Sequence, residues 1–285
     1  MQTIQWFPGH MAKAKREILE KMNMVDLVIE LKDARIPYSS SNPMVKEIIG
    51  SKPRLVLLNK SEMADKTVTK AWMDYYKENN ILSLDIDSIS GYHISSVYKY
   101  CNLALEELFK KREEKHIKNK QIKVMILGIP NVGKSTLINT LAKRKATNVG
   151  DKPGVTKTQT WIKVNPDFLI LDTPGILWPK FDDQEVGLKL AMCGSIKDEI
   201  LNTEDIARES VKYLINNYKE LLISRYKLKE EDLDKDIYDV IEQIGKNRGA
   251  LLKGGIVDYT KTYNLILNDL RTNRIGAMSY ERPKR

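Results

Sequence analysis

The chain has 285 residues, 42% of them hydrophobic and 30% charged, which is enough to bury the core of one or two domains. It has no apolar run of about 18 residues and no signal-peptide pattern, so we expect a cytoplasmic protein without a membrane partner. Its 47 Lys and Arg against 38 Asp and Glu give a net charge of +9, and its two cysteines lack the spacing of a disulfide framework or a zinc site.

Short apolar segments alternate with helical patterns along the first part of the chain. Short strands separated by amphipathic helices predict a doubly wound, mostly parallel sheet with helices on both faces. The longest helical pattern in this part covers residues 95–116. The predicted strands cover residues 25–31, 54–59, 81–86, 123–128 and 168–172.

After about residue 180 the strand pattern ends, and the spacing of apolar residues becomes helical. We predict an α/β domain over residues 1–180 and a smaller all-α domain over residues 181–285. Between Gly245 and Arg285 the chain has nine Lys and Arg but three Asp and Glu. This basic excess suits a phosphate backbone, although a solvated surface explains it equally well. The predicted helices cover residues 191–199, 204–226, 236–247 and 260–276.

The segment from Gly128 to Ser135 fits the pattern GxxxxGK[ST], between an apolar strand and a helical pattern. The backbone amides of such a loop point at phosphate groups, and the helix N-terminus adds a positive field. We predict that Lys134 neutralises the phosphates during catalysis and that Ser135 binds Mg²⁺. The other nucleotide-binding residues predicted here are Asn131, Val132, Gly133 and Thr136.

A second phosphate-site motif follows the strand at 168–172. Asp172 is predicted to contact Mg²⁺ through water, and the amide of Gly175 to sense the terminal phosphate. Residues 151–161 between the two motifs read as a polar loop. Thr156 in this loop is the candidate for closing over Mg²⁺ in the triphosphate state, with Thr158 and Thr160 as rivals.

These motifs are common to P-loop hydrolases, so the choice of guanine needs a further motif. In GTPases that motif is [NT]KxD after a strand, where a carboxylate accepts hydrogen bonds from the guanine N1 and N2 hydrogens. Here Asn59, Lys60 and Glu62 follow the strand at 54–59, upstream of the phosphate loop. Ser88 with Ile89 is predicted to supply a backbone contact to the guanine O6, although an ordinary turn fits that segment equally well.

With these motifs the sequence resembles the circularly permuted GTPases, and within them the ribosome biogenesis GTPase A (YlqF-type) group. The resemblance implies a P-loop GTPase fold, GTP and GDP with Mg²⁺ as ligands, and hydrolysis of GTP to GDP and phosphate. It also implies partners in the large ribosomal subunit, its rRNA and ribosomal proteins, with no DNA expected. The matching segments are WFPGHMAKAKREI, DARIP, NKSE, GIPNVGKST, KPGVT, LDTPGILWPKF, GGIVDY and LNDLRT.

Two positions depart from common GTPase patterns. Glu62 stands where the family has aspartate, so we expect weaker guanine binding with its selectivity retained. Ile176 stands where most small GTPases have the glutamine that orients the attacking water, which predicts slow intrinsic turnover. The resemblance implies that His10 acts instead on a docked partner, although a lone loop histidine could equally be structural. It also implies K⁺ beside Asn131.

Two other function classes compete with an assembly GTPase. One is an RNA-binding module in which guanine nucleotide serves mainly as a structural ligand, and the slow turnover expected from Ile176 suits it. The other is a metabolic P-loop kinase or ATPase. We disfavour this class because the NKSE segment has no role there and no acceptor-substrate lid is evident.

Overall fold

The computed structural model describes residues 16–117, 121–143, 160–173, 175, 183–196, 199 and 202–284. These residues form two units. The first contains the described residues up to 175 together with residues 279–284, and the second contains the described residues from 183 to 278. Within the described ranges, no helix combines the length and the hydropathy needed to cross a membrane.

The first unit is built on a six-stranded sheet in the order β3-β2-β1-β4-β6-β5, in which only the β5–β6 pair is antiparallel. Every residue of β1 is buried, as expected for a central strand covered on both faces. Strands β2 and β3 lie on one side of β1, and β4, β6 and β5 lie on the other, so the sheet reverses its winding direction between β1 and β4. The strands are β1 Leu27–Asp33, β2 Arg54–Asn59, β3 Ser83–Asp85, β4 Ile122–Leu127, β5 Thr160–Asn165 and β6 Phe168–Asp172.

Helices connect the parallel strands of this sheet. Residues 16–21 are helical as well. The helix at Lys66–Glu78 begins where the Asp65 side chain accepts hydrogen bonds from the Thr67 and Val68 amides, a normal N-cap. It packs Trp72 and Tyr76 against the sheet core. The named helices are α1 Pro43–Ile49, α2 Lys66–Glu78, α3 Val97–Ala104, α4 Glu106–Glu114 and α5 Lys134–Ala142.

Two sequence predictions for this unit were wrong. Residues 151–161 are predicted to form a loop, but Thr160 and Trp161 belong to the edge strand β5. This strand has one buried residue, Ile162, and therefore lacks the continuous apolar run of the central strands. The predicted helix at 95–116 is interrupted at Leu105, and α4 after it buries no residue.

The second unit is helical, as the spacing predicted. Its helices bury apolar stripes that include Ile206, Val240 and Ile266. The helix predicted at 191–199 was misplaced, because the helix here ends at Met192 and Gly194 has a φ of +74°. Tyr218 divides the predicted 204–226 helix in two. The helices are α6 Gln184–Met192, α7 Thr203–Asn217, α8 Lys219–Tyr226, α9 Ile237–Asn247 and α10 Tyr259–Arg271.

The last described residues return to the first unit. Residues 279–285 are predicted to belong to the helical domain, whereas the structure packs residues 279–284 with the α/β unit. Ser279, Tyr280 and Glu281 are all buried there. Their short, irregular segment has no helical or strand period, so its sequence alone gave no indication of this packing.

Candidate nucleotide site

The candidate motifs meet at one edge of the sheet. Asp33 ends β1 and is the register partner of Asn59, which ends β2. On the other side of β1, β4 leads into the phosphate loop of residues 128–133, and β6 ends at Asp172. Since these strands are parallel, their carboxyl ends lie along the same edge, where α/β sheets bind ligands next to a reversal of winding.

Two residues of the phosphate loop have a left-handed backbone conformation. Asn131 and Gly133 have φ angles of 57° and 100°, in the left-handed region. Gly133 precedes the first residue of α5. A Cβ atom at this glycine would lie 2.3 Å from the Nδ2 atom of Asn59, so no larger residue fits without displacing that side chain. The loop therefore lies very close to the end of β2, which carries the predicted guanine motif.

Lys134 lies under this loop rather than in solvent. Its side chain is buried, and Nζ donates hydrogen bonds to the carbonyl oxygens of Gly128 at 3.1 Å and Ile129 at 2.9 Å. Burial lowers the pKa of Lys134 to about 8, although the negative charge of Asp172 acts in the opposite direction. An anion bound at the loop would favour the charged lysine and reverse this shift.

Asp172 and Gly175 of the predicted second phosphate-site motif lie beside the phosphate loop. Asp172 is buried and its carboxylate acts electrostatically on Lys134. A Cβ atom at Gly175 would lie 2.7 Å from the backbone nitrogen of Pro130, which shows how closely the two segments approach. The arrangement puts one carboxylate, one ammonium and the first turn of α5 in the same place. Such a set suits a phosphate group with a bound divalent cation.

Asn59 joins the predicted base site to the phosphate loop. Its Nδ2 donates to the carbonyl oxygen of Val132 at 2.7 Å, and its Oδ1 accepts from the amide and hydroxyl of Ser88 at 3.0 and 2.8 Å. The Ser88 carbonyl oxygen in turn accepts from the Thr140 hydroxyl at 2.8 Å. The Ser88 amide therefore holds Asn59, while the Ile89 amide donates to the Asp87 carboxylate and the Ile89 side chain is 85% exposed.

Lys60 and Glu62 follow Asn59 in the motif, but Lys60 binds protein groups whereas Glu62 is exposed. Lys60 has a left-handed φ of 60°, and its Nζ donates to the Asn131 carbonyl oxygen at 2.7 Å and lies 3.1 Å from the Asp33 carboxylate. Glu62 lies in the short turn Ser61–Met63 and is exposed. Its carboxylate is thus accessible to a ligand from solvent.

A buried ion pair lies at the end of β1, and none of the sequence predictions assigns a role to it. Arg35 binds the Asp33 carboxylate through Nε at 2.9 Å and Nη2 at 2.8 Å, and its amide donates to the same group at 3.1 Å. Burial would raise the pKa of Asp33, but the charges of Arg35 and Lys60 outweigh burial and hold this pKa well below its usual value. The available signal was the DAR sequence, which begins at the last residue of β1, beside the strand that ends in the NKSE motif.

Comparison with known proteins identifies the family. A family model described as "50S ribosome-binding GTPase" matches residues 123–248. The ribosome biogenesis GTPase A of Priestia megaterium is 51% identical over 99% of this chain and 97% of its own length. That of Bacillus cereus is 50% identical over 99% of this chain and 94% of its own length. This chain belongs to the ribosome biogenesis GTPase A family.

A solved member of this family has the same fold. The GDP-bound YlqF structure matches with a TM-score of 0.69 and 25% sequence identity, covering 94% of this chain and 99% of that one. The predicted P-loop GTPase fold and the predicted GTPase activity are thereby confirmed, with guanine nucleotide as the ligand. The family model begins in β4, whereas the full-length relatives also cover the NKSE segment that precedes it.

The remaining predicted residues lie either at the start of α5 or outside the described residues. Ser135 and Thr136 lie in the first turn of α5 and are half-buried. The candidate catalytic residues His10 and Thr156 lie outside the described residues, and so does Ile176. The described part of the site therefore contains the predicted guanine motif, the phosphate loop, Asp172 and Gly175.

Proposed function

We propose that this ribosome biogenesis GTPase acts on the large ribosomal subunit during assembly, with the docked subunit stimulating GTP hydrolysis. GTP favours docking, and hydrolysis favours release. The observation that carries the proposal is the hydrogen-bonded connection between NKSE and the phosphate loop, in a chain whose relatives are named for ribosome biogenesis. This connection makes the loop sensitive to what occupies the site.

For the phosphate side of the site, we assign charge neutralisation to Lys134 and nucleotide contacts to residues 131–136. Bound Mg²⁺ would offset the phosphate charge, with Ser135 and Thr156 as direct ligands and Asp172 acting through water. The buried Asp172 next to Lys134 supports this assignment. The amide of Gly175, at the loop, then senses the terminal phosphate.

For the base side, we assign the guanine N1 and N2 hydrogens to the Glu62 carboxylate. Its exposure supports this role, since a carboxylate already bound by protein groups would have to break those bonds first. Asn59 keeps the base motif on the phosphate loop, and Ser88 keeps Asn59 in place. The contact to the guanine O6 falls to the Ile89 amide, which leaves the Asp87 carboxylate when nucleotide binds.

For the chemical step, we assign water activation to His10 and transition-state charge to K⁺ beside Asn131. Ile176 supports both assignments, because its side chain cannot hydrogen-bond water. A histidine suits proton handling near neutral pH, and a cation at the phosphates stabilises developing charge. If these assignments hold, subunit-stimulated turnover falls in His10→Ala and falls when sodium replaces potassium.

Docking is assigned to the helical unit. Its turn between α9 and α10 is a narrow hairpin, closed by a bridge between Leu251 and Val257. Arg248 and Lys253 are exposed here, and so are the apolar side chains of Leu252 and Ile256. Exposed cations beside apolar groups suit rRNA, whose phosphates and bases these side chains contact respectively.

The test is GTP turnover in potassium buffer with and without purified large ribosomal subunits, mature and immature. The blank is Lys134→Ala. We expect strong stimulation by at least one class of particle. The proposal would be contradicted if neither mature nor immature subunits raised the turnover rate, although the protein bound GDP tightly.

Turnover that is not stimulated by either class of particle would favour the second candidate, an RNA-binding module that uses guanine nucleotide mainly as a structural switch ligand. Ile176 is the observation that favours it, because slow hydrolysis would be sufficient for such a module. The discriminating measurement is particle affinity in the presence of GDP and of a non-hydrolysable GTP analogue. A switch ligand changes this affinity even when turnover stays unstimulated.

A further inference from the structure

Residues 279–281, which we call the carboxy-terminal strap, are bound to the first unit by backbone and side-chain hydrogen bonds. The Glu281 carboxylate accepts hydrogen bonds from the Tyr38 amide at 2.7 Å and the Ser39 amide at 3.0 Å, and also from the Ser39 hydroxyl. The Tyr280 amide donates to the Arg35 carbonyl oxygen at 2.8 Å. The strap thus holds the loop of residues 34–41 that follows β1.

Two further contacts fix the strap from its other side. The Trp72 indole donates to the Glu281 carbonyl oxygen at 3.2 Å, and the Asp65 amide donates to the Ser279 hydroxyl at 3.1 Å. Both partners belong to α2 or its N-cap. Glu281 is 8% exposed and Tyr280 is 3% exposed. Hydrogen bonds to a buried carboxylate are among the stronger ones in proteins, so this segment is firmly placed.

The held loop leads directly to the proposed guanine site. Arg35 is 1% exposed and binds Asp33 with two side-chain nitrogens. Asp33 pairs with Lys60, and Lys60 donates to the phosphate-loop carbonyl of Asn131. A buried ion pair is a poor source of stability compared with apolar packing. Its place between two ligand-binding segments indicates that it orients Lys60.

We propose that the carboxy-terminal strap is a positioning element of the guanine-nucleotide site. It acts through the 34–41 loop by keeping Arg35 on Asp33 and Asp33 on Lys60, without touching the nucleotide. This inference rests on the proposed function, and in particular on the prediction that the motif of Asn59, Lys60 and Glu62 binds guanine. It gives Glu281, Arg35 and Asp33 a role in nucleotide affinity that the motif pattern does not include.

The test uses the full-length chain and measures the dissociation rate of labelled GDP, at a temperature well below the unfolding midpoint of every variant. Glu281→Ala is expected to speed dissociation about tenfold, because hydrogen bonds to a charged group are lost. Glu281→Gln keeps the shape but not the charge, and Ser39→Ala removes one donor, so both should show smaller increases. Arg282→Ala is the matched control, since Arg282 adjoins the strap and is exposed.

A double-mutant cycle separates positioning from simple stabilisation. If the strap acts through Asp33, combining Glu281→Ala with Asp33→Asn should speed dissociation little more than Asp33→Asn does alone. The inference is overturned if Glu281→Ala lowers the unfolding midpoint but releases GDP at the rate of Arg282→Ala. It is equally overturned if the effects of the two substitutions multiply, since the strap would then act independently of Asp33.

Lys60→Ala distinguishes failure of this inference from failure of the site assignment beneath it. Unchanged GDP release in Lys60→Ala would reject the proposed guanine site itself. Faster release in Lys60→Ala together with unchanged release in Glu281→Ala would reject only the strap.

Discussion

The two units of this chain keep their charged groups in different surroundings. In the first unit Asp33, Arg35, Lys134 and Asp172 are all buried at one edge of the sheet. In the second unit the described helices bury mainly apolar stripes, and Asp269 is an exception. Burying charge opposes folding unless each charge is well paired. Several buried charged groups next to one another in the first unit therefore indicate a ligand-binding site. The helical unit, in contrast, is stabilised mainly by apolar packing.

The strongest test of this contrast is Lys134→Met, which replaces a buried cation by an apolar side chain of similar length. We expect GTP turnover to fall by about 10²–10³-fold, because the variant lacks the group that we propose neutralises the phosphates. We also expect the nucleotide-free protein to become more stable by about 1–2 kcal/mol, since the cost of burying the charge disappears. Steady-state turnover and denaturant unfolding measure the two effects.

A variant that lost turnover and stability together would contradict this view of Lys134. Thr140→Val is the comparison within the same helix. It removes a hydroxyl that bonds the Ser88 carbonyl oxygen, without removing charge from the phosphate loop. Its nucleotide-free form should be destabilised slightly, by about 1 kcal/mol.

The converse test lies in the second unit, at the pair between Arg225 and Asp269. Arg225 binds the carboxylate with two nitrogens, each at 2.9 Å, and Asp269 is 1% exposed. Arg225→Met removes both of these bonds from a buried carboxylate, which keeps the more distant Arg274 at 3.8 Å, and should destabilise the helical unit by about 3 kcal/mol. GDP affinity of the folded protein should not change. Lys212→Ala, which loses a pair between an exposed lysine and the half-buried Glu209, should cost about 0.5 kcal/mol or less.

The stability gained by Lys134→Met should also depend on pH. Burial lowers the pKa of Lys134 from 10.5 in the unfolded chain to about 8 in the folded one. Between these values the unfolded chain holds more protons, so the wild type gains stability relative to the variant as pH rises. The variant's advantage should be complete below pH 8 and fade towards pH 10.5. Paired unfolding curves of both proteins without nucleotide would detect this, and a constant difference would contradict it.

The contrast between the units also explains what the sequence could predict. The central strands were predictable because buried parallel strands are continuous apolar runs, and β2 was predicted with its observed bounds. The phosphate loop and NKSE were predictable because they need particular residues at fixed spacing. Edge strand β5 has neither property, and it was predicted as part of a loop.

Other features depend on contacts that are distant along the chain. Glu281 meets Tyr38 and Ser39 across most of the sequence, and no periodicity marks such a contact. The use of the Ser88 amide to hold Asn59 likewise follows from the packing of β3 beside β2. In the helical unit, periodicity predicted helices but not their breaks at Tyr218 and Gly194, which local backbone conformation sets.

A smaller effect tests whether the second unit serves docking while the first serves nucleotide binding. Arg248→Ala and Lys253→Ala should each weaken binding to large-subunit rRNA about three- to tenfold at low salt. Each should also reduce the slope of log affinity against log salt by about 1, because one phosphate contact is lost. GDP affinity should stay unchanged. The control is Lys219→Ala, because Lys219 is another exposed lysine of the helical unit. An equal loss of rRNA affinity in this variant would show that the effect comes from net charge alone.

The smallest expected effect is that of Glu62→Asp, at the position where the first unit departs from the aspartate of its family pattern. Glu62→Asp should raise GDP affinity by about fivefold or less, because the shorter side chain returns the carboxylate to the position that the motif favours. Glu62→Gln keeps the length but loses the charge, so it should lower GDP affinity by about tenfold or more. Competition of GTP and ATP against labelled GDP measures selectivity in all three proteins. If ATP displaced GDP from the wild type as well as GTP does, Glu62 would not be the residue that reads guanine.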